Sequence, residues 1–224
     1  MFPLRDNIPS QNPPYMTVIL VIVNTVIFTY IWLMGPNGME QVFNRYALIP
    51  ADITGVSQQG GGWATLFTSM FLHGGWLHLI GNMWALWLFG DNVEDLMGPL
   101  NFLLFYLVCG LGAAAVHIYV DPVSTVPTVG ASGAIAGIMG AYFLLYPRAR
   151  VTTLVFTLFI WFVDIPAYIY LGFWILMQLL GGTAVLAGGA SQIAFWAHVG
   201  GFAAGMLFYS LFKTRQENRR IYWE

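Results

Sequence analysis

The chain has 224 residues, of which 58% are hydrophobic and 8% charged, and its formal net charge is −2. Soluble domains run at about 45–50% apolar and about 25% charged, so a soluble fold could not hide this much apolar side chain. The charge balance gives no reason to expect nucleic acid as a partner, and the single cysteine, Cys109, excludes an intrachain disulfide.

In chain order, residues 1–15 read as a short N-terminus carrying Arg5, followed by a first apolar run from Thr17 to Met34. That run is longer than a signal-peptide core and lacks a small-residue cleavage site, so it reads as a retained span. Gly35 to Gly62 forms a long polar stretch with an amphipathic piece at Met39 to Ile53 and Trp63 just beyond it. Further spans are expected at Leu77 to Leu96, Asn101 to Val120, Ser132 to Tyr146, Ala167 to Gly182 and Phe195 to Phe212. Asp91 to Gly98, Asp121 to Val129 and Gly188 to Gln192 supply short connectors. Alternation of the barrel kind is absent, which leaves a helical bundle as the way to satisfy every backbone group in lipid.

The expected architecture is therefore an all-α membrane protein: a six-span domain over residues 16–212, a long outer loop between its first two helices, and a basic tail over 213–224. In this arrangement Arg5, Arg148, Arg150, Lys213, Arg215, Arg219 and Arg220 fall on one side and only Arg45 on the other, which puts both termini in the cytoplasm. The apolar, β-branched segment Val151 to Val163 is shorter than a span and reads as a loop at the lipid edge. Counting it as a span would carry the basic C-terminus across the membrane, against the charge rule.

With this topology the second, fourth and sixth spans start on the outer side, and their first turns carry His78 and Asn82, Ser132, and His198. Polar side chains inside spans are expensive and face a bundle interior or a wet cavity, so four of them at similar depth are informative. Ser132 stands in Gly130-Ala131-Ser132-Gly133. A serine flanked by glycines in a membrane helix is most often packing glue. Geometry favours more: from Ser132 to Pro147 is about 22 Å of helix against a hydrocarbon core of about 30 Å, so Ser132 should sit below the outer surface. As a helix N-terminus it also offers a backbone N–H to an oxyanion.

His198 is followed by Gly201 and Gly205, and Ser132 by Gly133 and Gly137. Two small-residue stripes let helix backbones approach closely, which would bring an imidazole to the Ser132 hydroxyl as a nucleophile and base require. His78 and Asn82 are one turn apart and can aim donors at a single oxygen. Their spacing could also serve a metal, but Asn is a poor zinc ligand and no His-Glu-x-x-His is present. His73 and His117 read as structural. Asp164, Asp91, Glu94 and Asp95 are all assigned to the inner side, so a Ser-His dyad is expected rather than a triad. No cofactor or metal is expected.

The chain resembles the rhomboid intramembrane serine proteases from about Trp63 to Phe212, with the first span before it. Gly130 to Gly133 looks like the family's nucleophile motif, Ala197-His198 with Gly200-Gly201 and Gly205 like its base helix, and His78-x-x-x-Asn82 like its oxyanion motif. Val93-Glu94 followed by Gly98 resembles its inner turn. Two positions depart: Trp63 is followed by Ala64 where many members have Trp-Arg, and Ala136 stands where some carry an aromatic that stacks on the base. The resemblance implies cleavage of transmembrane segments of membrane proteins, with Ser132 attacking, His198 as base, and the Ser132 amide, His78 and Asn82 receiving the oxyanion.

The competing expectation is a non-catalytic rhomboid-like chaperone that binds unstable transmembrane helices. A small transporter fits less well, since no inverted repeat or carboxylate in the outer cluster is evident. The fifth helix, with Phe173 and Trp174, is the expected side entrance, and a prokaryotic plasma membrane with its lipids the expected setting.

Overall fold

The computed structural model describes residues 2–57, 60–156, 160–189, 191 and 193–214. Gln192 and most of the basic tail, including Arg215, Arg219 and Arg220, lie outside the described residues. The fold is mostly helical: α1 (Tyr15–Leu33), α2 (Gly35–Tyr46), α3 (Pro50–Ile53), α4 (Thr65–Thr68), α5 (Trp76–Met97), α6 (Pro99–Val120), α7 (Ser132–Leu145), α8 (Ala167–Leu186) and α9 (Phe195–Phe212). Among the described residues, α1, α6, α8 and α9 are long and apolar enough to cross a membrane. Helix α5 has 22 residues but carries Asp91, Glu94 and Asp95 in its last turns, and α7 is shorter, at 14 residues. The amphipathic stretch after the first span forms α2 and α3.

Local chemistry sets the helix boundaries. Gly98 ends α5 at φ 75°, a conformation that costs other residues a Cβ clash, and Pro99 opens α6 at the position where its missing N–H is not needed. Helix α7 stops just before Pro147. Its stretch from Gly133 to Tyr142 is buried without a break, because α9, α6 and α5 all pack on it. Helix α7 is thus the core of the bundle, and its first residue is Ser132.

The expectation of an all-α chain needs correction. Strands β1 (Phe2–Asp6), β2 (Arg150–Phe156) and β3 (Ile160–Pro166) form a three-stranded antiparallel sheet in the order β1-β2-β3. The segment read as a lipid-edge loop is therefore two paired strands, with 157–159 outside the described residues, and the N-terminus contributes the third. The physical reason is visible in β2, where Val151 and Thr153 are fully buried while Thr152 and Leu154, which alternate with them, are not. This period of two suits β-branched residues on a half-buried pleat, which pairs on one side with the adjacent β3 and on the other with β1 from the far end of the chain.

The sheet lies at the end of the bundle opposite Ser132, where several helix termini are tied down. The Glu94 carboxylate accepts hydrogen bonds from Met16 N (2.8 Å), Thr17 N (2.7 Å) and Thr17 Oγ1 (2.8 Å). Helix α1 lacks a side-chain cap of its own, so a charge on α5 satisfies its free N–H groups and faces its positive dipole end. Thr214 N and Oγ1 donate to the carbonyls of Leu96 and Met97 at 3.1 and 3.0 Å, closing the end of α5.

Asp6 locks β1 to this end, accepting from Tyr142 Oη and from Asn92 Nδ2 (3.1 Å). Burial, together with the nearby Asp91, pushes its carboxyl up to about 6, against the Tyr142 hydrogen bond, which lowers it. An unfolded aspartate titrates near ~3.9, so between about pH 4 and 6 the docked strand holds more protons than the released one. Docking of β1 should then weaken as pH rises through that window. Hydrogen exchange of the β1 amides should show higher protection at about pH 4.5 than at about pH 7. Asp6→Asn should flatten the dependence, and a flat profile in the wild type would refute this.

Candidate active site

The site is built on the contact between α7 and α9. A Cβ placed on Gly201 would lie 1.9 Å from Gly133 O, and one on Gly205 would lie 1.9 Å from Gly137 O. The two backbones therefore touch, and only glycine permits it. Gly133 and Gly137 are tight in turn against α6, where added Cβ atoms would come within 2.6 Å of Ala113 Cβ and 2.3 Å of Cys109 Cβ. All four glycines singled out in the sequence thus lie in these contacts, and α7 is clamped between α6 and α9.

This clamp brings the first residue of α7 next to the first turn of α9. His198 Nε2 lies 2.8 Å from Ser132 Oγ, within hydrogen-bond distance. Ser132 and His198 are partly exposed, so the pair sits at the mouth of the bundle rather than sealed inside it.

His78 and Asn82 come from α5. A Cβ on Gly130, whose φ is 132°, would lie 2.7 Å from His78 Nε2 and 3.5 Å from Ser132 Oγ, so the imidazole and the hydroxyl flank the same glycine. Gly74 N–H donates to His78 Nδ1 at 3.4 Å. Since a neutral imidazole carries one N–H, that contact assigns the proton to Nε2, the nitrogen that faces Gly130. Asn82 is buried and its Nδ2 has no hydrogen-bond partner among the described residues, an unspent donor of the kind that a ligand oxygen satisfies. Beside the serine lies a cavity of ≈ 40 Å³ whose lining includes Ser69, Met70, Thr128, Gly130, Ser132 and Ala197. A cavity of about 10–15 Å³ by this measure holds one water, so solvent fits there.

A model of the rhomboid domain matches residues 60–215, well over half of the chain. The chain belongs to the rhomboid family. Among its relatives are Rhomboid protein 1, mitochondrial, of Saccharomyces cerevisiae, 27% identical over 164 residues, and Rhomboid protease GluP of Bacillus subtilis, 36% identical over 138 residues. Putative rhomboid protease YdcA of Bacillus subtilis is 30% identical over 165 residues, covering 71% of this chain and 72% of that protein. The matches to the first two cover 70% and 61% of this chain but 45% and 25% of those proteins, so this chain spans less than half of their length. The relatives come from bacteria and from mitochondria, so the match decides an integral membrane protein of this family and leaves the kind of membrane open.

In this rhomboid His198 has two neighbours on α8 that no local sequence pattern announces. Ala136 is fully buried and brings no ring to His198. The ring comes instead from α8: Trp174 lies over His198 with centroids 5.7 Å apart at 35°. One turn further along α8, Gln178 Oε1 lies 2.8 Å from His198 Nδ1. A signal for Gln178 did exist, since an amide in the middle of an apolar span is as expensive as Asn82, but no sequence neighbour pointed it at His198. Phe173, named with Trp174 as flanking a side entrance, is 51% exposed.

The two histidines read as structural border this cluster of contacts. His117 Nε2 pairs with Thr128 Oγ1 at 3.0 Å. His73 is buried with its ring 5.2 Å from that of His78, and burial pushes its imidazole down to about 3, which keeps it neutral. Two of the carboxylates expected on the inner side have other partners: Thr152 Oγ1 donates to Asp164 at 2.7 Å, and Glu94 caps α1. Among the described residues no group of three or more His, Cys, Asp or Glu side chains could hold a metal ion.

Proposed function

We propose that this rhomboid is an intramembrane serine endopeptidase that cleaves transmembrane segments of other membrane proteins through Ser132 and His198. The observation that carries the reading is the 2.8 Å contact between Ser132 Oγ and His198 Nε2 at the mouth of a lipid-length bundle. The domain is read as six spans within residues 16–212, α1, α5, α6, α7, α8 and α9, with both termini on the inner side and α2 to α4 in the outer loop. The burial of α7 by three neighbouring helices supports counting that short helix as a span lying wholly inside protein.

The chemistry follows from the contacts. Ser132 Oγ attacks the carbonyl carbon of the scissile bond while its proton passes to His198 Nε2. The carbonyl oxygen becomes an oxyanion facing the Ser132 N–H, the Nε2–H of His78 and the unpaired Nδ2 of Asn82. Collapse expels the amine, which takes the proton from His198 and leaves an acyl-enzyme on Ser132. Water then repeats the attack with His198 as base and frees the carboxylate. A substrate helix must unwind locally first, because its peptide bonds are shielded by their own hydrogen bonds.

Incubation with a fluorophosphonate, followed by peptide mapping, should place the adduct on Ser132, and a reporter transmembrane substrate should be cut by the same preparation. Tight binding of helices with no adduct and no cleavage would favour the chaperone reading and sink the protease. His78→Ala and Asn82→Ala should each lower kcat by about 10²–10³ while retaining the adduct-forming serine. Wild-type rates in both variants would remove the oxyanion role.

A further inference from the structure

We infer that Gln178 is the positioning residue for His198, doing with a neutral carboxamide what a carboxylate does in a serine-histidine-aspartate triad. The inference rests on the reading of Ser132 and His198 as nucleophile and base. For Nε2 to take the serine proton, its lone pair must face Oγ, so the single proton of the neutral imidazole must sit on Nδ1. That proton needs an acceptor. The Gln178 carboxamide oxygen lies 2.8 Å from Nδ1.

A carboxamide has two unlike ends, and only one of them selects this tautomer. Its identity is decided by a second contact. The Gln178 amide nitrogen donates to the Trp174 carbonyl, one turn back on the same helix, at 3.3 Å. Turning the amide over would set its oxygen against that carbonyl, acceptor to acceptor, and would force Nδ1 to accept while the proton moved to Nε2. A base protonated on Nε2 cannot take the serine proton. The chain Trp174 O, Gln178, His198, Ser132 is therefore consistent in one direction only, and that direction primes the serine.

Two further observations separate this from an ordinary bond between helices. The Trp174 ring packs against His198 at a tilt of 35°, so α8 contacts the imidazole both at Nδ1 and along the ring, at the place where Ala136 on α7 brings no aromatic. Moreover, 11% of the apolar window of α8 is buried in the protein, against 28–33% for α1, α6 and α9. The base thus takes its orientation from the least embedded of these four helices, so displacement of α8 and loss of base alignment are one event.

Gln178→Met keeps the length and apolar bulk of the side chain and removes the acceptor, whereas Gln178→Glu removes the donor and keeps an acceptor. The full chain in detergent would be tested by the rate of Ser132 labelling with a fluorophosphonate and by kcat and KM on a reporter substrate. Gln178→Met should label about 10-fold or more slowly and lose kcat with KM within about twofold. Gln178→Glu should recover most of the labelling rate. A merely structural glutamine would lower the melting temperature and labelling together in both variants, with no recovery in Gln178→Glu. A wild-type labelling rate in Gln178→Met, or no recovery in Gln178→Glu, overturns the assignment. Ser132→Ala in the same series separates the two readings: adduct formation there defeats the dyad itself, while a dead Ser132→Ala beside an unimpaired Gln178→Met defeats only the role of Gln178.

Discussion

Ser132→Ala should abolish fluorophosphonate labelling and lower reporter cleavage by about 10⁴-fold or more, with the melting temperature and the elution profile unchanged. The reasoning is local. The hydroxyl is small and partly exposed, and its one described side-chain partner is His198 Nε2. Removing it leaves the α7–α9 backbone contact intact, because that contact is made by Gly133, Gly137, Gly201 and Gly205. His198→Ala should be comparably inactive, since nucleophile and base act as a unit and their losses do not add. Cleavage persisting in Ser132→Ala at the wild-type rate would exclude the whole mechanism.

Gly205→Ala should have the second largest effect, and it should act through the fold. In an open helix, Gly→Ala stabilises by roughly 1 kcal/mol. Here the added Cβ would lie 1.9 Å from the Gly137 carbonyl oxygen, a backbone atom that no rotamer can move aside. The helices must separate, and overpacking of this kind costs about 1–3 kcal/mol. Separation also pulls His198 from Ser132, so labelling should fall along with the melting temperature. The matched control is Gly172→Ala on α8, where a Cβ meets nothing within 4 Å. Equal melting temperatures for the two variants would show that the α7–α9 contact is looser than described.

Much of this was legible in the residues. The apolar runs marked helices at α1, α6, α8 and α9 because twenty-odd apolar residues in sequence have few other solutions. The motif at Ser132, the glycine spacing after His198 and the His78/Asn82 pair were each local patterns, and a family likeness could be read from them. The sheet was not legible as a sheet, since β2 shows its alternation over a few residues while β1 is five residues long and lies at the other end of the chain. The pairing of β1 with β2 is a non-local choice, and neither strand reveals it alone.

Gln178 failed to stand out for a related reason. Its polarity inside α8 was visible, but the meaning of a glutamine depends on which atom faces it, and His198 lies on another helix. The sequence by itself determined the solvent of this protein, the positions of its membrane-length helices and the residue types available for acyl transfer, because composition and periodicity act within one element. Only the tertiary structure decided which of those residues meet. The glycine contact between α7 and α9 brings hydroxyl and imidazole to 2.8 Å, and α8 supplies the ring and the amide that contact His198. Ångström-scale placement across helices arises from close packing, and no single segment encodes it.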